Sequence, residues 1–372
     1  MDTQTRIPVL DLNPQLDALW PELNQAIQRT LRSTHYILGP EVRAFEQEAA
    51  RYLGMKHAVG CNSGTDALVI ALRALGIGPG DEVVTTPFTF FATAEAISQV
   101  GATPVFADVE EATMNLDPAR VERAVTLRTR AILPVHLFGR PCAMDDLLDI
   151  ARRRGLMVVE DCAQSFGARH RYRPTGSMGQ IGCFSFFPSK NLGACGDGGL
   201  LATSDDQLAS LCRALRVHGS RKKYHNEMMG YNSRLDELQA AILRVKLPRL
   251  EAWNAGRRRV AEGYRRLLEG HGRIVLPPLD PGHVYHQFTV RVPGCDRDQL
   301  QARLAQEGVE TMVYYPVPCH RLLAYAHSHA HVACPVAERL CAEVISLPIW
   351  PEMEHEAQAA VVRALLAQAG RG

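Results

Sequence analysis

Apolar positions recur along the first two-thirds of the chain in two alternating rhythms. Short, nearly continuous apolar runs at about 57–60, 82–85, 104–107, 131–135, 156–160 and 200–203 have the length of strands buried on both faces. Between them, apolar residues spaced three and four apart over about 67–75, 92–99, 118–126, 144–154 and 206–217 carry the helical period. Strands alternating with helices predict βαβ units and a mostly parallel sheet sandwiched by helices. Ahead of this pattern, 15–53 reads as two helices separated by His35-Tyr-Ile-Leu-Gly-Pro40, whose Gly-Pro pair stops one helix and starts the next. After it, the spacing predicts a long helix over about 235–269, broken or bent near Pro248. A smaller α+β pattern follows, with strands at about 287–292 and 310–313 flanking a helix at 297–307, then a last helix at about 353–368. The change of rhythm predicts two domains, 1–245 and 246–372, which a chain of 372 residues and 46% hydrophobic content can support.

Charge narrows the choice of ligand. Forty-one basic against forty acidic residues leave a formal charge of +1, without the electrostatic footprint of a nucleic-acid binder, so a small ligand is expected. No apolar run approaches the roughly 18 residues of a membrane span, and the opening Met-Asp-Thr-Gln-Thr-Arg lacks a signal-peptide core. The expected location is the cytoplasm. The ten cysteines never fall as Cys-x-x-Cys, which points to free thiols rather than a zinc ribbon or dithiol pair. His327-Ser-His329-Ala-His331 is expected to be a solvated loop, because no carboxylate or cysteine joins it at metal-ligand spacing. No metal site is expected.

The candidate chemistry gathers at turns that follow strands. Lys190 sits in Phe184-Ser-Phe-Phe-Pro-Ser-Lys190-Asn-Leu-Gly-Ala-Cys-Gly-Asp-Gly-Gly199, between an apolar run and a glycine-rich turn. Partial burial there favours the neutral amine that Schiff-base chemistry needs. The strand Leu156-Met-Val-Val-Glu-Asp161 ends in a carboxylate where open α/β sheets collect ligands, although a salt bridge or a helix N-cap explains it equally. Cys61-Asn-Ser-Gly-Thr-Asp66 is a strand-to-helix turn that either caps the helix or offers N–H groups and the Ser63 or Thr65 hydroxyl to a phosphate. Pro87-Phe-Thr-Phe-Phe-Ala92 supplies three aromatic rings, one of which can cover a planar ligand. Ser220-Arg-Lys-Lys-Tyr-His225 is a basic loop, either solvated or meeting ligand phosphates.

Taken in order, Asn62-Ser-Gly-Thr-Asp-Ala67, Glu160-Asp-Cys-Ala-Gln-Ser165, Ser185-Phe-Phe-Pro-Ser-Lys190, Gly230-Tyr-Asn-Ser-Arg234 and Tyr314-Tyr-Pro-Val-Pro-Cys-His320 make the chain resemble the DegT/DnrJ/EryC1/StrS family. These are pyridoxal-phosphate-dependent aminotransferases that act on nucleotide-linked keto sugars, and the likeness runs from about Ile7 to the C-terminal helix. It implies the aspartate aminotransferase type of α/β fold, fold type I, with a large mixed, mostly parallel sheet domain and a smaller α+β C-terminal domain. It also implies a homodimer with active sites at the subunit interface. Carried over residue by residue, Lys190 matches the lysine that holds the cofactor covalently, and Asp161 the carboxylate that pairs with the pyridine nitrogen. Gln164 matches the side chain beside the ring. Gly64, Thr65 and Ser185 correspond to phosphate ligands, and Asn232 to a phosphate ligand donated by the partner subunit. Phe90 stands at the ring-stacking position, with Phe88 the alternative. Arg234, Tyr315 and His320 are candidates for contact with substrate, Arg234 having an interface salt bridge as its alternative. The implied reaction moves an amino group from L-glutamate to a keto sugar, at a 3-keto carbon, with a 4-keto carbon as the alternative. A dehydratase or a regulatory relative without transamination is the alternative. A lysine rather than a histidine at 190 speaks against the deoxygenating branch of the family.

Overall fold

The computed structural model describes residues 6–369. The first five residues, on which part of the reading of the N-terminus rests, lie outside them. Seven strands form the main sheet in the order β1 (His57–Cys61), β9 (Gly199–Thr203), β8 (Ile181–Ser185), β5 (Met157–Asp161), β4 (Thr129–Leu133), β2 (Glu82–Thr85) and β3 (Thr103–Phe106). All neighbours run parallel except β9, which is antiparallel to both β1 and β8. Two-stranded ribbons pair β6 (Arg169–His170) with β7 (Arg173–Pro174), β10 (Ser220–Lys222) with β11 (His225–Asn226), and β12 (Phe288–Arg291) with β13 (Val344–Leu347).

Side chains of the sheet alternate between two apolar layers, as the two-residue period of a strand requires. Val83, Ala131, Leu133, Val159, Ile181 and Leu201 pack with α3 (Gly64–Ala74), α4 (Ala92–Gln99) and α7 (Asp206–Leu215). On the other face, Val84, Ile132 and Val158 pack with α5 (Pro118–Ala124) and α6 (Met144–Arg154). Phe184, Leu200 and Ala202 pack there with α2 (Pro40–Leu53) and α8 (Glu237–Lys246). The long α1 (Asn13–Ser33) lies against α8 through Leu19, Leu23 and Ile242. Glu237 caps the start of α2 by accepting from the N–H groups of Glu41 and Val42, both at 2.9 Å. Gly39 permits that approach, since a Cβ there would stand 2.7 Å from Glu237 Oε2.

The expected long helix divides at Pro248 into α8 and α9 (Leu250–Leu268), joined by one 3₁₀ turn. A second core gathers α9, β12, β13, α10 (Arg297–Gln306) and α13 (His355–Ala369) around Tyr264, Phe288, Leu300 and Leu365. Ile7 joins it by pairing with the backbone of Gly308 and Glu310. The intervening stretch, with α11 (Leu323–Ala326) and α12 (Pro335–Glu343), instead lays Cys319, Tyr325, Cys334 and Leu340 on the first core.

Two expectations are corrected here. No strand forms at 310–313, where only a single bridge joins Met312 to Ser346, because the chain turns into a cavity at Tyr314 and Tyr315. The partner of β12 is β13. The histidine stretch is not wholly solvated either: His329 is buried, its Nε2 on the Pro104 carbonyl at 2.9 Å and its ring edge-on to Phe106 and Tyr325.

Candidate active site

The carboxyl ends of β5 and β8, the start of α3 and the turn before α4 surround a cavity of about 570 Å³, closed from the other side by His286, Gln287, Tyr314 and Tyr315. Strand alternation explains how the lysine turn is built. Phe184 and Phe186 are fully buried beneath α2 and α8, and each such ring contributes roughly 1.5–3 kcal/mol of burial. The same alternation turns Ser185 and Phe187 into the cavity. A tight turn then brings the Lys190 N–H back to the Phe187 carbonyl at 2.8 Å, and Lys190 reaches the cavity.

Burial lowers the Lys190 amine to about 8, against a smaller opposing pull from Asp161, which favours the ammonium. Asp161, the last residue of β5, is 4% exposed. Burial pushes its carboxyl up, opposed by the Ala163 N–H on Oδ1 at 3.1 Å, the Thr93 hydroxyl on Oδ2 at 2.9 Å, Lys190 and His136. A cation arriving in the cavity would complete the compensation that a buried carboxylate requires.

Other predicted residues divide into those that face this cavity and those that do not. Gln164 lines it, fixed from both ends: its Oε1 accepts from the Phe138 N–H at 2.6 Å and its Nε2 donates to the Tyr315 hydroxyl at 3.0 Å. Gly64, Thr65 and Ser185 meet at one end, where a Cβ on Gly64 would lie 2.7 Å from the Cβ of Ser185. Ser63 caps α3 through the Asp66 N–H, leaving other N–H groups of that helix start to an anion. Phe90 is 59% exposed on the cavity, whereas Phe88 is fully buried, edge-on to Phe138 and Tyr315.

Asn232 is exposed and Arg234 partly so, and neither lines the cavity of its own chain. His320 does not reach it. The ring is fully buried, Nε2 lies 2.8 Å from Glu338, and Phe106 packs beside it.

Three cavity residues lie outside every motif. Thr93, His286 and Gln287 line it, beside Asp197 of the lysine turn and Tyr314 of the tyrosine stretch, and His286 is held neutral by burial and by the nearby Lys190. Helix α9 ties the two walls together. Asn254 accepts from Asn191, next to the lysine, at 2.7 Å, and donates to the Phe166 carbonyl at 3.2 Å. One turn on, Arg257 Nη1 donates to the carbonyls of Tyr285, His286 and Ile349.

Behind the cavity, His136, Glu160 and Cys162 converge within 4.8 Å of one another. The donors are already committed. His136 Nδ1 accepts from the Cys142 N–H, so Nε2 carries the proton toward Glu160 at 3.0 Å, and Glu160 also takes the N–H groups of Gly176, Met178 and Gly179. The cluster is a buried structural pair.

A lysine with a lowered pKa, a buried carboxylate short of a cation and a glycine cradle at a helix start together fit pyridoxal phosphate. Comparison with known proteins agrees. The sequence profile of the DegT/DnrJ/EryC1/StrS aminotransferase family matches residues 18–366. A pleiotropic regulatory protein of Geobacillus stearothermophilus is 49% identical over 361 residues, 96% of each chain. The UDP-N-acetyl-3-dehydro-alpha-D-glucosamine 3-aminotransferase of Acidithiobacillus ferrooxidans is 49% identical over 358 residues, again 96% of each. The crystal structure of S. venezuelae DesV superposes with a TM-score of 0.95 at 47% identity, covering 99% of this chain and 100% of that one. With the cavity, the fold and these relatives in agreement, the chain belongs to the DegT/DnrJ/EryC1/StrS family of pyridoxal-phosphate-dependent sugar aminotransferases.

Proposed function

We propose that this enzyme moves an amino group from L-glutamate to a nucleotide-linked keto sugar. The observation that carries this reading is the convergence of Lys190, with its amine near 8, and the buried Asp161 on one cavity. Lys190 would hold the cofactor, Asp161 its ring nitrogen, Gln164 and Phe90 its ring, and Gly64, Thr65 and Ser185 its phosphate. Bound pyridoxal phosphate supplies an electron sink for the charge left when a proton leaves the donor's α-carbon. Lys190 Nζ takes that proton as a general base, and in the second half of the cycle it returns one to the sugar carbon being aminated. Asp161, kept ionised, favours a protonated ring nitrogen. His286 and Gln287 line the opposite wall.

A 3-keto carbon is the preferred site of amination, supported by the 3-aminotransferase name of the A. ferrooxidans relative. Purified, cofactor-loaded protein given L-glutamate alone should release stoichiometric 2-oxoglutarate, then turn over continuously once a suitable nucleotide-linked 3-keto sugar is added. Turnover only with 4-keto sugars would move the site of amination. Failure of every amino donor to yield its keto acid would favour the second reading, a regulator without transamination, for which the G. stearothermophilus relative's name speaks.

We further place the enzyme in the cytoplasm as a homodimer with shared sites. Among the described residues no helix is long and apolar enough to cross a membrane. Asn232 and Arg234 do not line the cavity of their own chain, which supports the reading that they serve a second copy. Mixing inactive Lys190→Ala with inactive Asn232→Ala subunits, unfolded and refolded together, should therefore regenerate activity, because one hybrid site receives both intact residues. No recovery in verified hybrids would place Asn232 in its own subunit's chemistry.

A further inference from the structure

Two buried threonines stand in series beside Asp161. Thr93 Oγ1 donates to Asp161 Oδ2 at 2.9 Å, and Thr89 Oγ1 lies 2.9 Å from Thr93 Oγ1. A hydroxyl has one proton, and an ionised carboxylate only accepts. Thr93 therefore commits its proton to Asp161, which makes Thr89 the donor to Thr93. The series points one way, and it does so only while Asp161 is charged; a protonated carboxyl would compete with Thr93 as donor. Both threonines are at least 97% buried, so bulk water offers little competition for either hydroxyl.

The other groups around Asp161 leave this series with little help. Burial pushes the Cys162 and Cys183 thiols and the Tyr315 phenol up, so all three are neutral. His136 is engaged by Glu160, itself a buried carboxylate beside Asp161 in the chain. His286 is neutral on the far side, near Lys190. What stabilises the Asp161 charge is the Ala163 N–H, Thr93, Lys190 and, last, His136. Once Lys190 is committed to other chemistry, the share of the threonines grows.

We propose that Thr93, backed by Thr89, is a positioning residue that keeps Asp161 ionised and aims its carboxylate at a protonated ring nitrogen. This rests on the cofactor reading above. A hydrogen bond to a charged acceptor at a buried site corresponds to about tenfold in an equilibrium and about one pH unit.

The test is cofactor binding by the cofactor-free protein, titrated with pyridoxal phosphate from acid to alkaline pH. Removing a donor to the carboxylate raises the pH at which Asp161 takes up a proton. Thr93→Val should therefore move the acid-side loss of binding up by about one unit, which reads as roughly tenfold weaker binding at a pH on that limb. Thr93→Ser should restore both. Thr89→Val should shift both in the same direction by less, and it carries the test should Thr93→Val fail to fold, which the melting temperature of the cofactor-free protein reports. Wild-type affinity and an unmoved acid limb in these folded variants, or a loss that Thr93→Ser leaves uncorrected, overturns the proposal alone. A wild-type protein that binds no pyridoxal phosphate at any pH overturns the cofactor reading and this proposal with it.

Discussion

Lys190→Ala is expected to lower amino transfer on the order of 10⁴-fold, the largest effect of any single substitution in the chain. The reason lies in the number of tasks assigned to one nitrogen. The proposed cycle uses the Lys190 amine to hold the cofactor and then to carry the proton both ways, and among the described residues no other amine lines the cavity. Lys190→Arg should fail almost as badly, because a guanidinium stays charged at any working pH and cannot accept a proton. Cofactor-free wild-type protein offers an independent check. Its reaction with a carbonyl reagent should accelerate as pH rises through about 8, where burial has placed the amine, rather than at the higher value of an exposed lysine. An active Lys190→Arg enzyme would remove Lys190 from the chemistry.

Asp161→Ala is expected to slow transfer by about 10²- to 10³-fold while leaving cofactor binding partly intact, since removing a preorganised charge has that scale of effect. Asp161→Asn separates charge from shape. The amide keeps an oxygen that can accept from Ala163 N–H, yet it cannot ionise, so it should be nearly as slow as alanine. The folded state should tolerate Asn better, because Ala leaves the Thr93 hydroxyl and the Ala163 N–H without their acceptor at about 1–3 kcal/mol each. Normal turnover by Asp161→Asn would mean that the ring nitrogen needs no charged partner.

Much of the sheet was legible because its strands are short and buried on both faces, leaving apolar runs that differ plainly from helical spacing. β13 was not. Its Val-Ile-Ser-Leu run directly follows α12 with no break between them, and the stretch at 310–313 reads as a strand instead. Lys190 and Asp161 stood out because each follows an apolar run at a strand's carboxyl end, where a sheet of this kind exposes side chains. The pair Phe88 and Phe90 shows what spacing leaves open. Two residues apart in one loop, one is in the core and the other 59% exposed on the cavity. Thr93, His286 and Gln287 gave no signal because ordinary residue types acquire their role only when segments distant in sequence meet. His320 shows the converse. It follows a cavity-lining tyrosine closely in the chain, but its ring turns away to Glu338.

Successive turns of α9 grip the cavity from opposite sides, Asn254 through the neighbour of the lysine and Arg257 through the backbone that carries His286. The helix acts as a caliper whose jaws are set three residues, about 4.5 Å of rise, apart, so the clearance offered to a sugar ring is a distance written into a rigid rod rather than into flexible loops. Selectivity for larger or smaller sugars can accordingly drift through changes at 254 and 257, residues that do not line the cavity.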